Sequence, residues 1–232
     1  MNEILSFDKC FNVFFDIDDT IIIPKSLSFR CPPYNGMIDR IKEKKELIKN
    51  YEQIISNWRV SRKVMLLDEN WPCVIENLKK KMNIFALTKM NTGKFGCIDS
   101  MEKWRYNELK SLGIIFSNKN INLPKSFDLK NNSPSFCNGI FMTGNLKKSE
   151  VLNEIIKTTD LSKGITFVDD RECHIFDVEK FCNKNYIPFL GILFNGLKNF
   201  NEYASKEIAE FQEKYLLENA IWLEDEEVLS YL

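Results

Sequence analysis

The sequence has a single histidine, no Cys-x-x-Cys pair and no excess of positive charge. One histidine and seven scattered cysteines do not provide the ligand spacing of a zinc site, and scattered thiols in a core are typical of a reducing compartment. Lysine and arginine number 32, against 33 aspartates and glutamates. Since no basic surplus is available to release counterions from a polyanion, we expect no nucleic acid among the partners.

Long apolar runs, repeats and low-complexity linkers are missing as well. No run of about 18 apolar residues occurs, so we expect no membrane span. The opening segment MNEILSFDKC lacks a basic stretch followed by an apolar one, which predicts no secretory signal and a cytoplasmic location. Apolar residues make up 44% of the 232 positions, which is enough for the core of an ordinary domain.

Short apolar runs alternate with amphipathic segments along the chain. Four of the runs predict buried parallel strands, at residues 11–15, 83–87, 165–168 and 187–194, and a fifth predicts a shorter strand at 113–117. Helical periodicity predicts helices at about 37–60, 69–81, 99–112, 149–157, 171–183 and 204–219. Strands that alternate with helices indicate an α/β fold with a parallel sheet.

Two stretches do not fit this alternation. One is an insertion after the first strand, at 21–70, and the other, at 114–142, is an excursion rich in Asn, Ser and Pro that is predicted to be irregular. Either stretch is a candidate cap or lid. We expect a single domain over residues 1–232, with its core at about 8–23 and 71–200, a helical cap or insertion at about 24–70 and a C-terminal helical tail at about 201–232.

Three acids follow the first predicted strand in the segment Asp16-Ile17-Asp18-Asp19-Thr20. Burying unpaired carboxylates is costly, and a divalent cation would offset their charge. Asp16 can give one oxygen to a hard cation and attack phosphorus with the other, while Asp18 can offer its backbone carbonyl to the ion and its carboxyl group as a general acid and base. An acidic turn or helix cap is the alternative, whereas an EF-hand calcium loop needs a glycine and a distant glutamate that this segment lacks.

Other polar residues stand at the ends of later predicted elements, namely Thr88, Lys148 and the pair Asp169-Asp170. Taken singly, each has an ordinary structural explanation, as a strand threonine, a solvated lysine in a first helical turn and a helix cap. Ligands of open α/β sheets bind beyond the carboxyl ends of the strands, however, and this would bring Thr88 and the acids close to Asp16.

These motifs, taken in order, resemble the haloacid dehalogenase superfamily over about residues 10–196. That family opens with an apolar strand followed by DxDx(T/V), here DIDDT, and continues with a strand that ends in Thr or Ser, here IFALT. A lysine near a helix start follows, here in GNLKKSEVL, and then a strand that ends in acids, here ITFVDD. The resemblance implies a three-layer α/β/α sandwich with a Rossmann-like, five-stranded parallel sheet in the order 5-4-1-2-3.

The resemblance also implies roles for individual residues. Asp16 would be the nucleophile and Asp18 the general acid and base, while Thr88 would bind a phosphate oxygen. Lys148, with Lys147 as its rival, would neutralise charge. Magnesium would be bound by Asp16, the Asp18 carbonyl and Asp169, supported by Asp170 and Thr20.

An acid two residues after the nucleophile is typical of the phosphatases and phosphotransferases of this superfamily. The resemblance therefore implies a magnesium-dependent phosphatase that acts on a phosphorylated small molecule or phosphoprotein through an aspartyl-phosphate. A phosphotransferase and a catalytically weak binding or effector protein are the alternatives. The stretches WPCVIENLKKKMNIFALT, NGIFMTGNLKKSEVL and IWLEDEE are similar to a branch from host-associated bacteria. By analogy with related bacterial proteins, phosphotyrosine is a candidate substrate, and delivery to a host cell without a signal peptide is the alternative location.

Overall fold

The computed structural model describes residues 12–30, 34–116, 132–199 and 202–232. Within these residues the chain divides into two compact units. The first takes the chain up to Ile21, then Leu66–Gly93 and Ser100–Gly196, and the second takes Ile22–Met65, Lys94–Asp99 and the chain from Leu197 to Leu232. No helix in the described ranges is long and apolar enough to cross a membrane.

The first unit is built on a six-stranded sheet that is parallel except at one edge. In chain order its strands are β1 (Asn12–Phe15), β4 (Asn83–Thr88), β5 (Ser135–Cys137), β6 (Ile140–Met142), β7 (Ile165–Asp169) and β8 (Phe189–Leu193). They lie in the order β5-β6-β4-β1-β7-β8, and only β5 runs antiparallel to its neighbour. The predicted α/β class with a mostly parallel sheet is therefore confirmed. Phe11, the first residue of the first predicted strand, lies outside the described residues.

The central strand β1 is buried on both faces because its side chains alternate between two cores. Phe14 packs on one face with the Phe85 and Phe141 rings, at centroid distances of 5.5 and 6.1 Å. Phe15 points to the other face, where it meets the edge of the Trp71 ring at 5.5 Å. Helices cover both faces of the sheet, so no side chain of β1 faces solvent and all four of its residues can be buried, as is typical of a Rossmann-like sandwich.

The helices of the first unit follow its strands, as the sequence periodicity predicts to within two residues at each end. They are α3 (Trp71–Lys79), α4 (Met101–Ser111), α5 (Lys148–Ile155) and α6 (Glu172–Lys184). α3 begins with a proline in its first turn, and the Ser100 side chain caps α4 by accepting a hydrogen bond from the Lys103 amide. α5 and α6 supply the apolar residues that cover the Phe14 face of the sheet.

The predicted strand at 113–117 is wrong over the residues that the structure describes. Residues 114–116 form no strand, and Ser117 lies outside the described residues. Ile114 and Phe116 are nevertheless buried, and the Phe116 ring lies 6.4 Å from that of Phe15. The apolar run therefore reflects burial of an irregular segment, which periodicity alone cannot distinguish from a strand.

The segment predicted to be irregular before Gly144 instead supplies a hairpin. β5 and β6 pair across the two residues Asn138 and Gly139, which have φ angles of 49° and 83°. A two-residue turn with both φ angles positive matches the twist of antiparallel strands, and Asn-Gly is its preferred sequence. The sheet consequently has six strands instead of five. Residues 117–131 of the predicted excursion lie outside the described residues.

The second unit is mainly helical. Its helices are α1 (Met37–Glu43), α2 (Tyr51–Ser61), α7 (Lys206–Asn219) and α8 (Asp225–Val228), and β2 (Ile22–Pro24) pairs with β3 (Val64–Leu66). The continuous helix predicted over 37–60 is wrong, because the chain breaks between α1 and α2 and Asn50 takes a left-handed φ of 60°. The Phe29 ring packs against Trp58 and Trp222 at 5.3 and 4.9 Å. The predicted domain boundaries stay a prediction.

Candidate active site

Polar residues stand at the carboxyl edge of the sheet in the first unit. Asp16 follows the last residue of β1, while Thr88 ends β4 and Asp169 ends β7. β1 lies between β4 and β7 and runs parallel to both, so the three ends share one edge. The Asp16 amide donates to the Val168 carbonyl at 2.8 Å, which extends the ladder to the first acid.

Lys148 joins two of these acids in a buried contact. Its Nζ atom lies 2.5 Å from Asp16 Oδ1 and 2.6 Å from Asp169 Oδ2. Lys148 is 2% exposed, Asp16 7% and Asp169 0%. Charged groups are buried at this depth only when they are paired, and here Lys148 is the partner of both acids.

The position of Lys148 follows from the pattern of α5. The buried face of this helix consists of Lys148, Val151, Leu152 and Ile155, which follow the spacing i, i+3, i+4, i+7. Lys147 is the N-cap and is exposed, and its amide donates to the Glu150 carboxylate at 2.6 Å. The structure therefore brings Lys148 to the acids and leaves its rival Lys147 in solvent.

Further groups hold Asp169 in place. The Arg171 amide donates to Asp169 Oδ1 at 2.8 Å, and His174 Nδ1 lies 3.2 Å from each carboxylate oxygen. His174 lies on α6, beside the acid at the end of β7. Burial alone would raise the pKa of Asp169, but hydrogen bonds with His174 and Lys148 hold it below its ordinary value.

Asp170 completes a cluster of three carboxylates. Asp16, Asp169 and Asp170 can each place one oxygen within 4.8 Å of the other two. Burial, together with the charges of Asp16, Asp19 and Asp169, raises the pKa of Asp170 to about 7. Burial also raises the pKa of Asp16 to about 6, although the nearby Lys148 opposes this shift. The pKa of Lys148 is raised, because the two acids outweigh the effect of its burial.

This donor set fits a hard divalent cation. Lys148 is the buried cation beside two of these carboxylates, and among the described residues the third, Asp170, has only the half-exposed Arg171 at 3.9 Å, so the three ionised groups exceed the positive charge buried with them. Carboxylate oxygens are the ligands that magnesium and calcium prefer, and a cation there would offset the burial and the neighbouring acidic charges that raise the pKa of Asp170. The residues in place could thus hold such an ion, and their identity alone does not select one metal.

Asp18 contacts a residue that the sequence reasoning missed. Arg105 of α4 donates through Nη2 to both Asp18 oxygens, at 3.1 and 2.8 Å, and through Nη1 to Glu108 at 2.6 Å. The available signal was helical spacing, because Met101, Arg105 and Leu109 lie on the buried face of α4. An arginine on such a face requires an acidic partner.

The remaining residues of the first motif form its turn. Asp19 takes a left-handed φ of 61°, a conformation that aspartate tolerates better than most residues. Thr20 is buried, and its hydroxyl group makes no hydrogen bond with the described residues. Trp71 Nε1 donates to the Thr20 carbonyl at 3.0 Å, which ties the turn to α3. Thr88 is also buried, and its carbonyl accepts from the Thr143 amide at 3.0 Å.

Comparisons with known proteins give a family but no activity. The family model described as "Protein of unknown function (DUF2608)" matches residues 1–229. A protein of Rickettsia prowazekii (strain Madrid E), described as uncharacterized, is 28% identical over 228 residues, which cover 95% of this chain and 82% of the relative. No solved structure matches the chain significantly. The chemistry therefore has to be inferred from the site itself.

Proposed function

We propose that this chain, which belongs to the family described as protein of unknown function (DUF2608), is a magnesium-dependent phosphatase that hydrolyses a phosphate monoester. The observation that carries the proposal is the buried contact of the Lys148 ammonium with both Asp16 and Asp169 at neighbouring strand ends. A carboxylate nucleophile for phosphorus needs such a positive partner, because the attacked phosphate brings more negative charge.

The fold supports the same proposal. Taken in chain order, the five parallel strands lie in the sheet as the fifth, fourth, first, second and third, with the short strand β5 added at the edge. This arrangement agrees with the order that the haloacid dehalogenase resemblance implies. The acids stand at the carboxyl ends of the central strands, where open α/β sheets bind their ligands.

In the proposed reaction Asp16 attacks the phosphorus atom in line with the leaving oxygen. The bond from phosphorus to the leaving oxygen breaks as the aspartyl-phosphate forms, and the Asp18 carboxyl group gives its proton to that oxygen. In the second step Asp18 takes a proton from water as the water oxygen attacks phosphorus, which releases phosphate and restores Asp16. Lys148 neutralises the charge that builds up in both steps.

The carboxylate cluster would hold the cation through Asp16, Asp169 and the backbone carbonyl of Asp18. We add Asp170 as a candidate direct ligand. Both Asp169 oxygens already accept hydrogen bonds, whereas Asp170 makes a looser contact with the Arg171 Nε, at 3.9 Å. When bound, magnesium would neutralise the carboxylates and the phosphate oxygens.

The test is phosphate release from para-nitrophenyl phosphate, measured with magnesium and with a chelator. We expect release that depends on magnesium and that Asp16→Asn abolishes, because an amide oxygen is a far weaker nucleophile than a carboxylate. Asp99→Asn is the matched control, since its side chain is exposed at 94% and it should retain full activity. Phosphotyrosine peptides provide a second substrate class.

Two results would contradict the proposal. One is the absence of magnesium-dependent release from every phosphate ester in a panel that includes aryl, sugar and nucleotide phosphates. The other is release that survives in Asp16→Asn, which would assign the chemistry to another group or to a contaminant. Unfolding temperatures of both variants distinguish a lost nucleophile from a lost fold.

A further inference from the structure

A buried arginine lies next to the proposed general acid and base. Arg105 is only 3% exposed, whereas the side chain of Asp18 is 41% exposed. The guanidinium group bonds both oxygens of Asp18 and lies 4.9 Å from the centre of the Trp104 ring. A buried cation thus reaches toward a carboxyl group at the solvent edge of the site.

The fold holds Arg105 firmly in this orientation. Its backbone belongs to the buried face of α4, and its second terminal nitrogen is engaged by Glu108 of the same helix. Because the guanidinium group is planar and rigid, fixing one nitrogen on Glu108 fixes the direction in which the other meets Asp18.

The pair also lies within electrostatic reach of the proposed nucleophile. The charge of Asp18 acts on the Asp16 carboxyl group, and the charge of Asp16 acts on Arg105. Asp18 itself stands in a turn directly before the left-handed Asp19, where a short, partly exposed side chain keeps rotamer freedom unless a partner restricts it.

We infer that Arg105 is a positioning residue, which orients the Asp18 carboxyl group for proton transfer between the leaving oxygen, or water, and the phosphorus centre on Asp16. This inference rests on the proposed phosphatase function. Arg105 itself exchanges no proton and touches no substrate, and it acts only through Asp18. Its effect should be largest where the leaving group most needs a proton.

The experiment compares Arg105→Gln and Arg105→Lys with Lys103→Gln, an exposed change on the same helix. The substrates are phenyl phosphate, whose leaving phenolate is strongly basic, and para-nitrophenyl phosphate, whose leaving group departs readily without a proton. Arg105→Gln should lower kcat on phenyl phosphate ~10- to 100-fold and leave KM within about threefold, because misplaced catalytic groups cost rate more than binding. The loss on the nitro substrate should be clearly smaller. Arg105→Lys should fold normally and show the same selective loss to a smaller extent.

A double variant tests whether Arg105 acts through Asp18. In the Asp18→Asn background, Arg105→Gln should change kcat by less than about twofold, because the group that it positions is already lost. The inference is overturned by additive losses in the double variant, by equal losses on both substrates, or by a rise in kcat in Arg105→Gln. If wild-type protein shows no turnover above Asp16→Asn, the proposed function itself fails and this inference fails with it. Normal wild-type turnover with additive losses overturns only the role of Arg105.

Discussion

Asp170→Asn should make the cation-free protein more stable at neutral and alkaline pH. The pKa of Asp170 is raised from 3.8 to about 7 by burial and by three neighbouring acids. The folded chain therefore keeps a proton that the unfolded chain releases, and the free energy of unfolding falls as the pH rises from about 4 to about 7. Above about pH 7, Asp170 is ionised in the folded chain and the free energy of unfolding is lowered by the full cost of burying its charge.

The size of the effect follows from the shift. A change from 3.8 to about 7 corresponds to roughly 4 kcal/mol at 1.36 kcal/mol per unit. Asp170 is partly exposed, so solvent screens some of this cost, and about 2 kcal/mol is a reasonable value for the gain in Asp170→Asn. For a chain of this size, that gain would raise the unfolding temperature by about 4–8 °C.

Thermal unfolding is measured at pH 8 and at pH 4.5, with chelator and with excess magnesium. With chelator at pH 8 the variant should unfold at a higher temperature than wild type, and at pH 4.5 the difference should fall to about a quarter of that value. Magnesium should stabilise wild type, by about 2.7 kcal/mol at a hundred times its Kd, and stabilise the variant much less. A variant that is no more stable than wild type at pH 8 in chelator would refute the assignment of Asp170 to a repulsive cluster. A magnesium response equal to that of wild type would refute its role as a ligand.

Two further changes test the packing of the first unit. Lys148→Met should cost about 3–5 kcal/mol of the free energy of unfolding at pH 8, because it removes the ammonium group that pairs with the buried carboxylates of Asp16 and Asp169. Lys147→Met should change the free energy of unfolding by less than about 0.5 kcal/mol, since Lys147 is exposed. Urea unfolding measures both variants, and equal effects would contradict the buried contact. Gly139→Ala should cost about 1–2 kcal/mol in the same assay, since its φ of 83° is unfavourable for a residue with a Cβ atom, and no measurable loss would argue against the hairpin turn.

The polar residues at the strand ends were predictable from the sequence, because the carboxyl ends of parallel strands lie at one edge of the sheet. The sequence pattern alone leads to Asp16, Asp169 and Thr88, and the structure places them at neighbouring strand ends. Two adjacent lysines fit the pattern, and what separates Lys148 from Lys147 is the apolar spacing of α5, which only Lys148 shares. The catalytic and metal-binding roles of these residues stay predictions.

Contacts between distant segments were not readable from the sequence. Arg105 lies among charged neighbours on α4 and looks like part of a solvated face until its buried spacing with Met101 and Leu109 is noticed. The strand predicted at 113–117 is wrong for a different reason. Its apolar residues Ile114 and Phe116 are buried, but residues 114–116 form no β-sheet hydrogen-bond ladder. The Asn138-Gly139 pair is a local signal for a hairpin turn. It forms the turn even though the polar composition around it predicts an irregular segment.

The central position of β1 has a consequence for how the chain folds. Asn12 lies opposite Ile165 of β7, and most of the chain lies between these two residues. A ribosome must therefore synthesise the chain beyond β7 before the first strand can acquire both of its neighbours, and contacts of such long sequence separation form slowly. Until then the segment Asn12–Phe15 is an apolar strand with an open edge, which makes the nascent chain prone to aggregation. The carboxylate of Asp16 comes beside Asp169 only when β1 and β7 pair, so turnover would report that this pairing has formed.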